Sequence, residues 1–368
     1  MTEPLDFFAI CAPGLEEALA DEVRAAGFSG ARAVPGGVEA QGDWPEIWRA
    51  NLELRGATRI LVRIGAFRAL HLAQLDKRAR KFPWGDFLRA DIPVKVEAVC
   101  RKSRIYHAGA AAQRIEGALR ETLGAVIASD APVTVKLRIE DDLCSLSLDS
   151  SGESLHRRGH KLAVNKAPMR ETLAALFLRE CGYRGGETVL DPMCGSGSFV
   201  IEAAEIAAGL HPGRSRSFAF EQFATFDPAA WEKMRSAGPG PRAGLPRFYG
   251  SDRDEGAIRM SRANAERAGV GDLCTFEARA ISDLTPPPGA PGLVIANPPY
   301  GGRIGNKKLL FGLYGAFGEV MRTRFAGWRV GMVTSDSGLA RATGLNFEPP
   351  GPIIPHGGLK IRLYQAAL

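Results

Sequence analysis

From residue 187 onward the chain alternates short apolar runs with helix-length amphipathic stretches, and this alternation restricts the fold more than any other feature. The apolar runs are Thr188-Val189-Leu190, Arg247-Phe248-Tyr249-Gly250, Cys274-Thr275-Phe276, Leu293 to Ala296 and Arg329 to Val333. Helical spacing fills Ser198 to Gly209, Asp254 to Ala268 and about Leu309 to Arg324. Parallel strands cannot be joined by a tight hairpin and need a helical crossover, so this order predicts a doubly wound α/β sheet covered on both faces. Ligands of such sheets bind beyond the carboxyl ends of the strands. The residues that follow each apolar run are therefore the candidates for chemistry. Leu210 to Pro246, rich in Pro, Gly, Arg and Ser, reads as an inserted loop, and Thr285-Pro286-Pro287-Pro288-Gly289 as a second one.

The first part of the chain has another character. Strand-like runs at Phe7 to Ile10, Ile60 to Val62, Val94 to Val99 and Val133 to Ile139 are mixed with helical spacing over Leu15 to Ala26 and about Ala108 to Ala128. Leu143 to Leu148 alternates and can pair with the preceding strand across Glu140-Asp141-Asp142. Strands, helices and a hairpin in this order predict an α+β module. Composition turns small and polar at Asp149-Ser150-Ser151-Gly152, which marks a boundary. A helix then begins near Pro168 and ends before Gly182.

Three segments stand at predicted strand ends. In Asn297-Pro298-Pro299-Tyr300 the two prolines remove two backbone donors and fix φ near about −65°. Asn297 before them is pushed out of the helical region. The stiff turn presents an amide oxygen, free carbonyls and a flat ring, a set that can accept hydrogen bonds from an exocyclic amine and stack on its ring. An ordinary strand-ending turn with a core tyrosine is the alternative. In Leu190-Asp191-Pro192-Met193-Cys194-Gly195-Ser196-Gly197-Ser198 the glycines let the backbone approach a ligand between strand and helix. The third glycine of the dinucleotide fingerprint is missing and residue 200 is Val, so hydride transfer with a nicotinamide is the weaker reading. Gly250-Ser251-Asp252 ends the next run, where an acid can accept hydrogen bonds from both hydroxyls of a ribose. A plain helix N-cap is the alternative for Asp252.

The chain's 368 residues allow two or three domains, and its net charge of +6 is unevenly spread. Residues 1–54 hold ten acids and three bases, whereas residues 55–108 hold thirteen Lys/Arg against Asp76, Asp86, Asp91 and Glu97. Residues 156–170 hold Arg157, Arg158, Lys161, Lys166 and Arg170 with no acid. Local basic excess is the usual footprint of a phosphate-binding surface. The six cysteines form no Cys-x-x-Cys pair and the six histidines no HExxH pattern, so no metal site is expected. No apolar stretch reaches the ~18–20 residues that span a bilayer. The N-terminus lacks the basic start of a secretory signal, and a cytoplasmic location is expected.

Asp191, Pro192, Cys194, Gly195 and Gly197 resemble motif I of class I S-adenosylmethionine-dependent methyltransferases. Asn297-Pro298-Pro299-Tyr300 resembles motif IV of methyltransferases acting on exocyclic base amines. Cys11 to Glu17, Leu155 to His160, Ala167 to Ala174, Gly301 and Gly357 to Lys360 extend the likeness over nearly the whole chain. The chain resembles the RlmL-type 23S rRNA guanine-N2 methyltransferases, within the wider group that carries a THUMP RNA-binding domain. That resemblance implies a ferredoxin-like segment over residues 1–54, a THUMP domain over 55–152 and a Rossmann-like class I methyltransferase domain over 153–368.

The resemblance also implies S-adenosyl-L-methionine as cofactor, held by the motif I residues and Asp252. Asn297 and the Pro298 carbonyl would accept the guanine amine, and Tyr300 would stack on the extruded base. An acid that commonly touches the adenine is replaced by Ala280, which leaves that contact to a backbone group or to Asp283. Gly302-Arg303 stands where the family commonly has Glu-Arg. Arg101, Lys102, Arg104, Arg157, Arg158, Lys161 and Arg303 are expected to hold RNA phosphates, with His156 and His160 as surface groups beside them. The expected partner is RNA, 23S rRNA first and transfer RNA second. The rivals are a DNA adenine-N6 or cytosine-N4 methyltransferase, which shares the Asn-Pro-Pro-Tyr logic, and a non-catalytic RNA-binding ribosome-assembly protein.

Overall fold

The computed structural model describes residues 4–162, 169–238, 244–300 and 307–368. The chain divides into two compact units. The first comprises the chain up to Cys11, Ala20–Leu155 and Arg216–Ala237; the second comprises Ala12–Leu19, His156–Ser215 and Gly238–Leu368. Among the described residues no helix is long and apolar enough to cross a membrane.

The elements begin with β1 (Leu5–Ile10), α1 (Glu16–Ala25), β2 (Ser29–Val34), β3 (Gly37–Gly42) and α2 (Trp44–Glu53). Next come β4 (Arg59–Arg68), α3 (Leu72–Ala79), β5 (Val94–Arg101), α4 (Ala108–Thr122), β6 (Val133–Glu140) and β7 (Leu143–Asp149). The strands form one seven-stranded sheet in the order β2-β3-β1-β4-β7-β6-β5. Because β1 pairs antiparallel with β4, the sheet runs through the point near residue 54 where two segments were expected to meet. β6 and β7 make the expected hairpin. Asp141 and Asp142 take φ of 47° and 62°, the left-handed pair a two-residue hairpin turn requires. α4 stops at Thr122 rather than near Ala128, because Gly124 takes φ of 75° and the chain turns back onto β5. The Ala128 N–H then donates to the Val94 carbonyl at 3.2 Å.

The remaining elements start with α5 (Glu171–Glu180), β8 (Val189–Asp191), α6 (Ser198–Ala208), α7 (Pro228–Ser236), β9 (Phe248–Asp252) and α8 (Glu255–Arg267). They finish with β10 (Cys274–Ala278), β11 (Leu293–Ala296), α9 (Lys307–Arg324), β12 (Arg329–Thr334), α10 (Ser337–Ala342), β13 (Ile354–His356) and β14 (Leu359–Ala367). The second sheet has the order β10-β9-β8-β11-β12-β14-β13. Its first five strands are parallel, as the alternation predicts, and all four residues of β11 are buried. β14 runs antiparallel to β12 and was not anticipated.

Leu210 to Pro246 is not simply a loop. Its middle part belongs to the first unit, where α7 and a short 3-10 turn (Ala219–Gln222) carry a buried aromatic set. Phe220 stacks on Trp48 of α2 at 5.9 Å between ring centroids and meets Trp231 edge-on at 5.0 Å. Five aromatic residues, Phe218, Phe220, Phe223, Phe226 and Trp231, carried that signal among the prolines and glycines.

Candidate active site

β8, β9 and β11 lie near one another in the second unit's sheet, and their carboxyl ends bring the predicted cofactor and amine residues to one edge. Asp191 closes β8 and is 2% exposed. Its Oδ1 accepts the Met193 N–H at 3.0 Å, which bends the chain into the glycine turn. Burial pushes its carboxyl up to about 8; the Met193 N–H opposes that rise and the Asp252 charge adds to it. Pro192 and Cys194 are buried in the wall of the turn. Gly197 takes φ of 85°, and a Cβ there would meet Ile201 and Ser261 at 3.1 Å, so only glycine lets α6 start this close to α8. Gly195 takes φ of 54°, and a Cβ there would meet nothing within 4 Å, so its open side is room for a ligand.

Asp252 at the end of β9 reaches back to the same turn. Its Oδ2 accepts the Gly195 N–H at 3.1 Å and its Oδ1 the Asp254 N–H at 3.0 Å. Asp254, rather than Asp252, caps α8. Each Asp252 oxygen keeps a second lone pair for a hydroxyl. Behind the turn, Ser261 Oγ donates to the Gly195 carbonyl at 2.9 Å and Asn264 Nδ2 to the Ser196 carbonyl at 3.0 Å. Both side chains are buried on α8. A buried Ser and Asn three residues apart on an otherwise small, apolar stripe were the available signal. Asp283 is exposed on the turn after β10, where the Arg279 N–H ties that loop to the Asp252 carbonyl at 2.9 Å.

Asn297 follows β11. In the sheet register Val294 lies opposite Leu190, which sets Asn297 just beyond Asp191 on the neighbouring strand. Its Oδ1 is buried and has no hydrogen-bond partner among the described residues. An unsatisfied buried acceptor carries a desolvation penalty of ~1–3 kcal/mol, which a bound donor would relieve. Pro298 is buried beside it. The turn is propped from α9: Tyr314 Oη lies 3.3 Å from the Pro299 carbonyl and 3.2 Å from Thr334 Oγ1 at the end of β12. Thr334 in turn accepts the Asp336 N–H at 3.3 Å. Burial pushes the Tyr314 hydroxyl well above the usual phenol range, so it stays a proton donor. Tyr300 is only 6% exposed, so its ring is packed into the unit rather than laid open as a stacking platform.

The basic residues divide. Arg158 is 2% exposed and its guanidinium pairs with Glu202 and Glu205 of α6. Burial works against its charge, but the two carboxylates outweigh burial, so Arg158 is a core ion rather than a phosphate ligand. Lys161 is likewise turned inward: its Nζ lies 2.8 Å from the Met169 carbonyl, 2.6 Å from Ser198 Oγ and 3.3 Å from Glu171. His160 is buried, not a surface group, and burial lowers its pKa against the pull of Glu205. Burial also lowers the pKa of half-buried His156, opposed by Glu171. Arg157 is exposed, and Arg303 lies outside the described residues.

Within residues 55–108 many cations are already paired, among them Arg59 with Asp149, Arg80 with Asp76 and Glu121, and Arg89 with Asp91. Arg101 at the end of β5 and Lys102 and Arg104 in the loop after it are exposed, and none of their side chains forms an ion pair among the described residues. Tyr106 beside them is 84% exposed, an aromatic partner the charge count had passed over. Among the described residues no three His, Cys, Asp or Glu side chains group as metal ligands.

Residues 158–348 match the RMKL-like methyltransferase domain model, and residues 6–61 match the RlmL ferredoxin-like domain. The ribosomal RNA large subunit methyltransferase K/L of Syntrophotalea carbinolica is 37% identical over 99% of this chain and 53% of its own length. The chain spans about half the length of the curated relatives it matches. A solved structure from Listeria monocytogenes, described as a predicted N6-adenine-specific DNA methylase, is 29% identical with a TM-score of 0.87, covering 99% of this chain and 96% of that one. The structure of SMU.472, complexed with SAH, is 26% identical with a TM-score of 0.87, covering 100% of this chain and 99% of that one.

Proposed function

The chain belongs to the RMKL-like methyltransferase family, and from that premise we propose that it methylates the N2 amine of a guanine in large-subunit ribosomal RNA. The observation that carries the reading is Asn297 Oδ1, a buried acceptor without a partner among the described residues, at the sheet edge beside Asp191. S-adenosylmethionine, when bound, supplies an electrophilic methyl carbon on a sulfonium. The residues present fit it: Gly195 has an open side, Asp252 has spare lone pairs for ribose hydroxyls, and Asp191 ends the neighbouring strand with a carboxyl at the same turn.

The amine of guanine is a poor nucleophile because its lone pair is delocalised into the ring. Asn297 Oδ1 and the Pro298 carbonyl accept its two N–H bonds, which gathers lone-pair density on nitrogen and stabilises the positive charge that grows there. Tyr314, through the Pro299 carbonyl, holds the turn that aims both acceptors. No residue needs to act as a strong base, since the methylated cation sheds its proton readily. Arg101, Lys102, Arg104 and Tyr106 offer charge and a flat ring to the RNA. The ribosomal name of the curated relative supports large-subunit RNA over transfer RNA. Adenine N6 is the second reading, favoured by the adenine-specific description of the Listeria protein.

Nucleoside mass spectrometry of ribosomal RNA and of DNA from a strain lacking the gene tests the assignment. Loss of N2-methylguanosine is expected; loss of N6-methyladenine from DNA instead would overturn it. With purified protein, Asn297→Ala should lower single-turnover methyl transfer by ~10²–10³-fold while calorimetric cofactor affinity holds. Near-normal transfer by that variant would refute the role given to Asn297.

A further inference from the structure

A second concavity lies at the same edge of the second unit's sheet. Its volume is about 680 Å³, and it is lined by Thr334 of β12, Arg341 of α10, Phe347, and Lys360, Arg362 and Tyr364 of β14. The last three alternate along β14, so the pleat sets them on one face. The Phe347 and Tyr364 rings meet edge-on with centroids 5.6 Å apart. Glu348 is the sole carboxylate among the lining residues, and it pairs with none of the cations. Arg341, Lys360 and Arg362 form no ion pair and donate no side-chain hydrogen bond among the described residues.

The position is as informative as the composition. Ala296 pairs with Met332 across β11 and β12, and Thr334 pairs with Arg362 across β12 and β14. Asn297 and Arg362 therefore stand within a residue of the same level, two strand spacings apart, or ~10 Å. Stacked nucleotides rise by ~3.4 Å each, so a few of them cover that span. Thr334 belongs to both places, because its hydroxyl contacts Tyr314, which holds the Pro299 carbonyl.

We propose that this groove holds the single-stranded RNA segment next to the target guanine. A base lies against the half-buried Phe347 ring, which the buried Tyr364 ring backs edge-on, and the strand's phosphates meet Arg341, Lys360 and Arg362. Unpaired cations next to aromatic rings are what a nucleic-acid single strand requires, charge for the backbone and a π-face for the base. The inference rests on the RNA reading given above.

The test titrates wild type and the Arg341→Gln/Lys360→Gln/Arg362→Gln variant with a short fluorescein-labelled single-stranded oligoribonucleotide containing one guanosine, over a range of salt. The variant's affinity should fall roughly tenfold or more, and its logarithmic salt slope should become shallower by roughly 2, at ~0.7 per lost phosphate contact. Phe347→Ala, which changes no charge, should weaken binding without altering the slope. Both variants should keep wild-type calorimetric affinity for S-adenosylmethionine. If the triple variant loses that affinity it has misfolded, and Arg341→Gln alone, on an exposed position, decides by the same two readouts. Unchanged RNA affinity and slope in a cofactor-binding variant would overturn the groove. A wild-type protein that binds no RNA, or methylates DNA adenine, would instead overturn the functional reading itself.

Discussion

Asp191 sits where the needs of folding and of ligand binding oppose each other. Burial raises its carboxyl to about 8, with the Met193 N–H pulling down and Asp252 pushing further up. A carboxyl whose folded pKa lies above its unfolded one binds an extra proton in the native state. Stability then falls as pH rises from about 4 toward about 8, because the unfolded chain gives that proton up first. Asp191→Asn removes the penalty, so urea unfolding near pH ~9 should show a gain of ~2–5 kcal/mol that vanishes near pH ~4. The same carboxylate, once ionised, favours a cationic cofactor. Wild-type affinity for S-adenosylmethionine should therefore rise with pH through about 8, and the Asn variant should bind weakly without that rise. An identical pH dependence in both proteins would mean another group titrates.

At the scale of elements, the corner at Asn297 could be read from its own letters, because two prolines after a buried run leave few conformations. What holds the corner could not. Tyr314 and Thr334 come from α9 and β12 and meet the turn only through the fold. Tyr314→Phe removes one hydroxyl and should lower methyl transfer by up to ~10-fold, the loss of one buried hydrogen bond, with cofactor affinity unchanged. An equal fall in both would show a general structural defect. Arg158 misled for a related reason. Its neighbours in sequence are basic, whereas its partners Glu202 and Glu205 lie on α6 within a run that reads as apolar helix. Arg158→Met would take the guanidinium from buried Glu202 and leave Glu205 to Arg214, and should destabilise the protein by ~3–5 kcal/mol in denaturant titration. A loss of RNA affinity at full stability would restore the phosphate-binding role.

Over the whole molecule the parallel sheet was legible, since every crossover helix repeats the same statement about which strands are neighbours. The sequence did not reveal that the two units share the chain in turns, because membership in a unit is set by contacts far apart in sequence. Residues 216–237 lie between parts of the second unit, yet they belong to the first. Phe220 is fully buried and Trp231 is 3% exposed, and Phe220 stacks on Trp48, while its N–H donates to the Ser150 carbonyl at 3.0 Å. Cutting the chain at His156, where the second unit resumes just after the polar boundary at Asp149 to Gly152, would keep Phe220 and Trp231 but remove Trp48. Each large aromatic buries ~150–250 Å², so such a fragment would expose an apolar patch large enough to drive association. The fragment 156–368 should therefore bind an apolar dye and aggregate, and replacing residues 216–237 by a short Gly-Ser linker should restore a monomer. A soluble, dye-free fragment that still carries those residues would mean the aromatic segment can be buried without α2, and its assignment to the first unit would be wrong.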